Sequence, residues 1–238
     1  ILLKKELLKQ NLTCLDDARE YLIKSSGGDA RAMLKLLEFS SAIEKNITLK
    51  TLKSLRPNAL SSGSSELGVH YDLTSALIKS IRGSDVDASI YYLARLIEGG
   101  ESADFIARRL VILASEDIGN ANPQALTMTT STLTSVSHIG FPEARIILAQ
   151  AVVYLCGSPK SNSSYLAINK ALKAVKDGLI LDIPKNIMQL NENYLNPHNF
   201  GGYVKQNYLN ENFTFCALKN VGYEKKMKDW LKSLSNFS

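Results

Sequence analysis

The sequence predicts an all-α protein: a small three-helix unit, a linker, and a larger helical body with an irregular C-terminal strap. Three observations carry that expectation. Apolar residues recur at helical spacing along most of the 238 residues. Asp, Ser or Asn precede the apolar runs and glycines follow them, as at helix starts and stops. The connections between runs are short, which favours an antiparallel bundle or collar of helices.

The elements follow in order. Asp16 and Asp17 precede Ala18, Tyr21 and Leu22 in a short helix that breaks at Gly27-Gly28. Asp29 stands where an N-cap is wanted, and Met33, Leu34, Leu37 and Ile43 keep a helical period to Glu44. A third helix is expected over Thr48–Leu55, capped by Thr48. This three-helix unit is assigned to residues 1–56. Arg56-Pro57-Asn58 stops the helix, and Ser61–Ser65, SSGSS, is the most linker-like stretch in the chain, so residues 57–69 are assigned as linker.

Residues 70–238 form the second body. Asp72 caps a helix to about Arg82. Ser84 or Asp85 starts the next, with Val86, Ile90, Leu93 and Ile97 on one stripe and Gly99-Gly100 ending it. Ser102 opens a helix that turns Ile106, Leu110 and Leu113 inward and ends near Gly119. Asn122-Pro123 reads as a cap with proline at the first helical position. Phe141-Pro142 repeats that device before Leu148, Ala151, Val152 and Leu155. Ser161 opens a further helix whose Tyr165, Ile168, Leu172 and Val175 are expected inward. From Leu179 to about Gly222 no period persists, and a strap held by Tyr194, Phe200, Tyr203, Tyr208 and Phe213 is expected. An amphipathic helix over Tyr223–Leu234 closes the chain.

Bulk composition narrows the function classes. The hydrophobic share, 45%, supports a packed core and argues against wholesale disorder. No window approaches the roughly 20 apolar residues of a membrane span, and the lysine-broken ILLKKELLKQ is not a signal peptide. The chain opens without an initiator Met, so a piece of a longer intracellular protein is expected. The 28 Lys+Arg against 23 Asp+Glu give +5, compatible with an acidic partner such as DNA; viewed over the whole chain the excess is spread, densest at Lys225, Lys226 and Lys228. Such a run is more commonly a solvated helix face. Cys14, Cys156 and Cys216 are far apart, as are His70, His138 and His198, and neither set has metal-ligand spacing.

Few residues carry chemistry. The sequence holds no phosphate loop, nucleophile elbow, zinc helix motif or dinucleotide fingerprint. Glu116-Asp117 is the nearest approach to a catalytic pair, but adjacent helical carboxylates diverge by about 100° and do not converge on one proton. Arg108-Arg109 suits either a phosphate or partner carboxylate, or a structural ion pair. Gly27-Gly28-Asp29-Ala30-Arg31 places a cation in the first turn of a helix, where backbone N–H groups also favour an anion; pairing of Arg31 with Glu38 is the plain alternative.

That stretch, GGDARAMLKLLE, resembles the second-sensor motif in the lid of clamp-loader-branch AAA+ ATPases. The blocks HYDLTSALIKSIRGSDVDASIYYLARLIEGGE, FIARRLVILASEDIGNANPQAL, FPEARIILAQAVVYLCGSPKSN and HNFGGYVKQNYL with GYEKK are similar to the C-terminal region of the RarA/MgsA family. Its eukaryotic counterpart is the Werner-helicase-interacting ATPase. Together the blocks cover essentially the whole chain.

The resemblance implies a partial AAA+ lid over 1–56 and a clamp-loader-like oligomerisation domain over 70–238. It implies that a parent protein binds ATP and Mg in a nucleotide-binding domain N-terminal to this region, with Arg31 as its second-sensor arginine. It implies a homotetramer, action at replication forks, DNA ends and gaps, and single-strand-binding protein as a partner, in the bacterial cytoplasm and nucleoid. For this chain alone the expectation is no catalytic residue, no metal, no cofactor and no membrane contact. Arg82-Gly83-Ser84-Asp85, Ser158–Asn162 (SPKSN) and Gly201–Gln206 (GGYVKQ) have no role assigned. A DNA-binding reading would rest on Arg108, Arg109, Lys205, Lys225 and Lys226, with Tyr203, Tyr208 and Gln206 in the tail.

Overall fold

A computed structural model of the chain describes residues 2–26, 30–60, 66–189 and 193–234. Among these residues it is all-α apart from one pair of two-residue strands. The chain divides into two compact units, Ile1–Leu77 with Ile90–Ser102, and Ile78–Ser89 with Ala103–Ser238.

Where the sequence suggested a three-helix unit over residues 1–56, the described residues up to Leu60 form four short helices: α1 (Leu2–Lys9), α2 (Asp16–Ser25), α3 (Ala30–Ile43) and α4 (Leu49–Leu60). The extra helix, α1, buries Leu3 and Leu7, one turn apart. Ala18, Leu22, Met33, Leu36, Leu37, Ile47 and Leu52 complete this core. The parallel pair β1 (Thr13–Cys14) and β2 (Asn46–Ile47) ties the segments before α2 and α4 together. Two-residue strands leave no alternation to read in a sequence. Thr48 does cap α4, its Oγ1 accepting from the Thr51 N–H at 3.3 Å. Ile43, expected inward, is 62% exposed, because the buried side of α3 runs through Leu36 and Leu37.

The helix boundaries around the predicted linker differ from expectation. α4 continues through Pro57 to Leu60, and α5 (Glu66–Arg82) begins six residues before Asp72. Proline forfeits one N–H bond, but residues beyond it can remain helical. Ser61–Ser65 lie outside the described residues, as do Gly27, Gly28 and Asp29. α6 (Val86–Glu98) buries Ser89, Leu93 and Leu96 and leaves Val86 38% exposed, so its inward stripe is turned by about one residue from the expected one. Asp85 caps this helix through the Ala88 N–H at 2.9 Å.

The second unit is built on α7 (Ala103–Leu113), α8 (Gln124–Ile139) and α9 (Ala144–Gly157), which pack on one another in pairs. Ile106, Leu110, Leu148, Ala151, Val152 and Leu155 are each at most 1% exposed, as their spacing predicts. Two predicted starts are made differently. The Asn122 side chain does not cap α8; its amide donates elsewhere, and no side-chain cap is made. The Phe141-Pro142 bond is cis and sits in a turn before α9 rather than in its first turn.

The largest departures lie further on. α10 (Ser163–Lys176) buries only Ser163. Tyr165, Ile168, Leu172 and Val175 are 43, 55, 50 and 54% exposed. Periodicity identifies an apolar side but not what covers it. The tail aromatics Tyr194, Phe200, Tyr208 and Phe213 are likewise 38–52% exposed and do not pin the strap as expected. Polar side chains organise it instead. Gln206 donates to the Leu195 carbonyl at 2.7 Å and to the Tyr208 hydroxyl at 2.9 Å, and Asn186 donates to the Asn207 carbonyl at 3.1 Å. A segment without ladder bonds satisfies its backbone through such amides. α11 (Gly222–Leu234) ends the described chain.

Candidate functional site

The polar centre of the second unit grows from an irregularity in α7. After Leu113 the helix widens into a π turn over Ala114–Ile118 and tightens into a 3-10 turn over Gly119–Ala121. Such turns re-aim side chains that a regular helix would disperse. Here Asp117 is turned in, and only 10% of its side chain is exposed. Arg82, at the end of α5, donates to it twice, Nε to Oδ1 at 2.6 Å and Nη2 to Oδ2 at 3.1 Å. That bidentate geometry suits guanidinium and carboxylate. Gly119 has φ +50, and a Cβ there would stand 3.0 Å from the Ser161 carbonyl, so the turn touches the segment before α10.

Lys160 forms the second joint. Its Nζ donates to Ser84 Oγ at 2.9 Å, the Cys156 carbonyl at 3.0 Å and the Ser158 carbonyl at 2.6 Å. All three ammonium protons are thereby committed. Burial draws its pKa below the ordinary lysine value, against the pull of Cys156 and Asp117. Asn122 donates to the Tyr154 hydroxyl and to Ser158 Oγ, both at 3.0 Å. Ser89 Oγ donates to the Asp85 carbonyl at 2.6 Å and lies 3.3 Å from Cys156 Sγ.

α11 closes the third side. Gly222 has φ +52 and lies so near the turn that a Cβ would fall 2.1 Å from the Ala121 carbonyl oxygen. Two residues on, Glu224 is fully buried and accepts from the Lys219 N–H at 2.7 Å. Lys219 Nζ in turn donates to Asn162 Oδ1 at 2.7 Å. Burial raises the Glu224 pKa, but the Ser161 hydroxyl, the Lys219 N–H and the Lys219 charge outweigh it and hold the carboxyl below the ordinary glutamate value. A depressed folded-state pKa contributes stability above the unfolded value, lost as pH falls through the folded one. Denaturation midpoints measured from pH 7 to pH 3 are therefore expected to fall more steeply for the natural chain than for Glu224→Gln.

Arg82–Asp85, Ser115–Asn122, Cys156–Asn162 and Lys219–Glu224 thus meet in one polar joint. Its chemistry is holding: the Asp117 carboxylate is occupied by Arg82, and Lys160 has no proton-free lone pair to attack with. Arg82→Met would strand Asp117 and is expected to cost about 1–3 kcal/mol, below the figure for a fully buried pair because Arg82 is 47% exposed. Arg82→Lys, with no fork, would recover only part of it, as denaturant unfolding would show.

Comparison with known proteins places the chain in a family. Residues 83–235 match the model of the MgsA AAA+ ATPase C terminal, and residues 8–82 that of an AAA C-terminal domain. The chain belongs to the MgsA AAA+ ATPase family. The chain is 42% identical over 228 residues to replication-associated recombination protein A of Bacillus subtilis, covering 88% of this chain and 53% of that protein. It is 33% identical over 186 residues to the protein of that name from Escherichia coli K12, covering 75% and 41%. Against the ATPase WRNIP1 of Dictyostelium discoideum it is 32% identical over 179 residues, covering 66% and 20%. The chain therefore spans about half, or less, of these relatives' lengths.

The residues singled out from the sequence lie on several elements of the chain. Arg31 is the second residue of α3, and its side chain lies outside the described residues. Arg108 is exposed on α7; Arg109 is half-buried, its Nε buried and without a partner among the described residues. Lys205 is exposed in the tail, Lys226 is exposed on α11, and Lys225 pairs with Asp229 at 2.6 Å. The joint residues Lys160 and Glu224 were not picked out from the sequence. The available signal was the pair of short polar, glycine-bearing runs RGSD and CGSPKSN between strong helices, which mark close backbone approaches.

Proposed function

We propose that this chain is the assembly module of an MgsA-type AAA+ ATPase, with α10 as the helix that meets a second copy. One observation carries the reading. α10 is 14 residues long, buries only Ser163, and exposes Tyr165, Ile168, Leu172 and Val175 at 3-4-3 spacing. An isolated helix of this length is marginal in water, so a covering partner supplies what its own fold does not. The spacing is that of a two-helix seam, and a seam related by a two-fold axis can pair with itself. The polar joint fits this role, because it fixes the start of α10 against α7, α9 and α11.

Residues 1–56 are proposed as a partial lid and residues 70–238 as the oligomerisation domain. In the parent, Arg31 would serve as the second-sensor arginine beside ATP and Mg held by a nucleotide-binding domain. The assembled parent would be a tetramer acting on DNA in replication and recombination, with single-strand-binding protein as a partner. The chain alone supplies one cation to that chemistry, whereas phosphoryl transfer also needs a phosphate cradle, a metal-holding acid and a positioned nucleophile. Purified chain is expected to show no ATP turnover; turnover abolished by Arg31→Ala would overturn this.

Hydrogen exchange tests the assembly reading. The amides of residues 166–176 are expected to be protected in concentrated protein at least as well as those of α8. Exchange there at the rate of an unstructured peptide would contradict a covered α10.

A further inference from the structure

The +5 excess is not evenly shared. Residues 160–238 hold 11 lysines, no arginine and 6 acidic residues, so this last third carries the entire excess. α11 is the densest part of it, with Lys225, Lys226, Lys228 and Lys232 against Glu224 and Asp229. Its large apolar residues, Tyr223, Met227, Trp230, Leu231 and Leu234, all fall within one arc of about 100° at 3.6 residues per turn. The chain's own fold leaves much of that arc uncovered: Tyr223, Trp230 and Leu231 are 51, 62 and 53% exposed. Lys226 stands at one border of the arc, about 40° from Trp230, and Lys228 at the other, about 60° from Leu231. The helix is fastened by its first turn, through the buried Glu224, and the turns beyond it present the arc outward.

We propose that α11 docks on an anionic lipid surface, its apolar arc entering the headgroup boundary while Lys226 and Lys228 meet lipid phosphates at the rim. A helix with one apolar arc and cationic borders lies in that boundary, where burial of the arc and attraction of the lysines act together. Tyr and Trp suit that depth, because each joins an apolar ring to a polar tip. Other occupants fit the arc less well. A nucleic-acid strand could stack on the two rings, but Met227, Leu231 and Leu234 beside them offer bases no flat face. A second copy of α11 would set one lysine border against another. An acidic peptide gains affinity by filling a groove or adding a strand, and α11 presents a convex ridge. Among the described residues no helix is long and apolar enough to cross a membrane. The contact proposed is with one surface of a bilayer, against the expectation of no membrane contact drawn from the sequence. The inference uses nothing from α10, so its failure leaves the assembly reading standing.

Trp230 is the only tryptophan in the chain and reports on this face directly. Vesicles of phosphatidylcholine with phosphatidylglycerol, added to the whole chain, are expected to shift its emission to the blue. The same vesicles carrying brominated acyl chains are expected to quench it. Vesicles of phosphatidylcholine alone are expected to bind about tenfold or more weakly, and high salt to remove most of that difference. Lys226→Gln with Lys228→Gln is expected to weaken binding to the anionic vesicles roughly twenty-five-fold, about fivefold for each lysine. Leu231→Glu is expected to abolish co-sedimentation with them, while Ile146→Glu on α9 leaves it unchanged. Equal binding to neutral vesicles, or unchanged vesicle binding in Leu231→Glu, would overturn the proposal. Absence of the blue shift would overturn it too, and quenching by oligo(dT) in its place would assign the face to nucleic acid. A fall in assembled mass on Leu231→Glu would also count against it, since a second copy would then cover this arc.

Discussion

Glutamate at both Ile168 and Leu172 is expected to convert assembled chain to monomer in light scattering, with the helical content of the second unit largely retained. The two side chains are 55 and 50% exposed, so their replacement disturbs little inside one copy. Across a seam each would lose about 1.5–3 kcal/mol of burial. Together that weakens association by roughly two to four orders of magnitude, before any penalty for burying charge. Alanine at both positions is expected to act in the same direction with smaller effect. Glutamate at Ile146 of α9, 62% exposed and off the stripe, serves as the control and is expected to change the assembled mass little.

Gly222→Ala is expected to be the most damaging single substitution within one copy. The added Cβ would lie 2.1 Å from the Ala121 carbonyl oxygen and 2.9 Å from Pro159 Cγ, at a φ of +52 that side chains resist. Backbone carbonyls do not yield as a flexible side-chain end does. Overpacking and a left-handed φ together give roughly 2–5 kcal/mol. The loss is expected to appear as a lower unfolding midpoint, with α11 exchanging its amides sooner than α7 or α9. Gly140→Ala is the informative contrast: it too has positive φ, +71, but open space around the Cβ position. With φ +71 and ψ 178 the backbone there suits glycine alone, so the cost is expected to be backbone strain without a clash, about 1–3 kcal/mol.

These contrasts show which parts of the molecule a sequence exposes to reading. The inward stripes of α7 and α9 were legible because Ile106, Leu110, Leu148 and Leu155 meet partners within their own unit, so period and burial coincide. The stripe of α10 has the same period and opposite burial. A repeat of apolar residues records an apolar face, not whether or by what that face is covered. The helix caps of Thr48 and Asp85 were legible because a cap is a local bond within a few residues.

The polar joint was not legible, for a different reason. Arg82 and Asp117 are separated by 35 residues, and Ser84 and Lys160 by 76. No local spacing rule links them, and the π turn that directs Asp117 inward leaves no periodic mark. Asn122 shows the same limit: its position before a proline reads as a cap, whereas its amide is spent on Tyr154 and Ser158. The strap failed because aromatic residues suggested packing, while Gln206 and Asn186 hold the segment through its backbone.

Sedimentation equilibrium of the purified chain over a wide concentration range tests the assembly claim most directly. The account predicts a weight-average mass at a multiple of 26.2 kDa, falling toward that value only on dilution or in the Ile168→Glu, Leu172→Glu variant. A single 26.2 kDa species at every concentration, with the natural sequence of α10 intact, would contradict it.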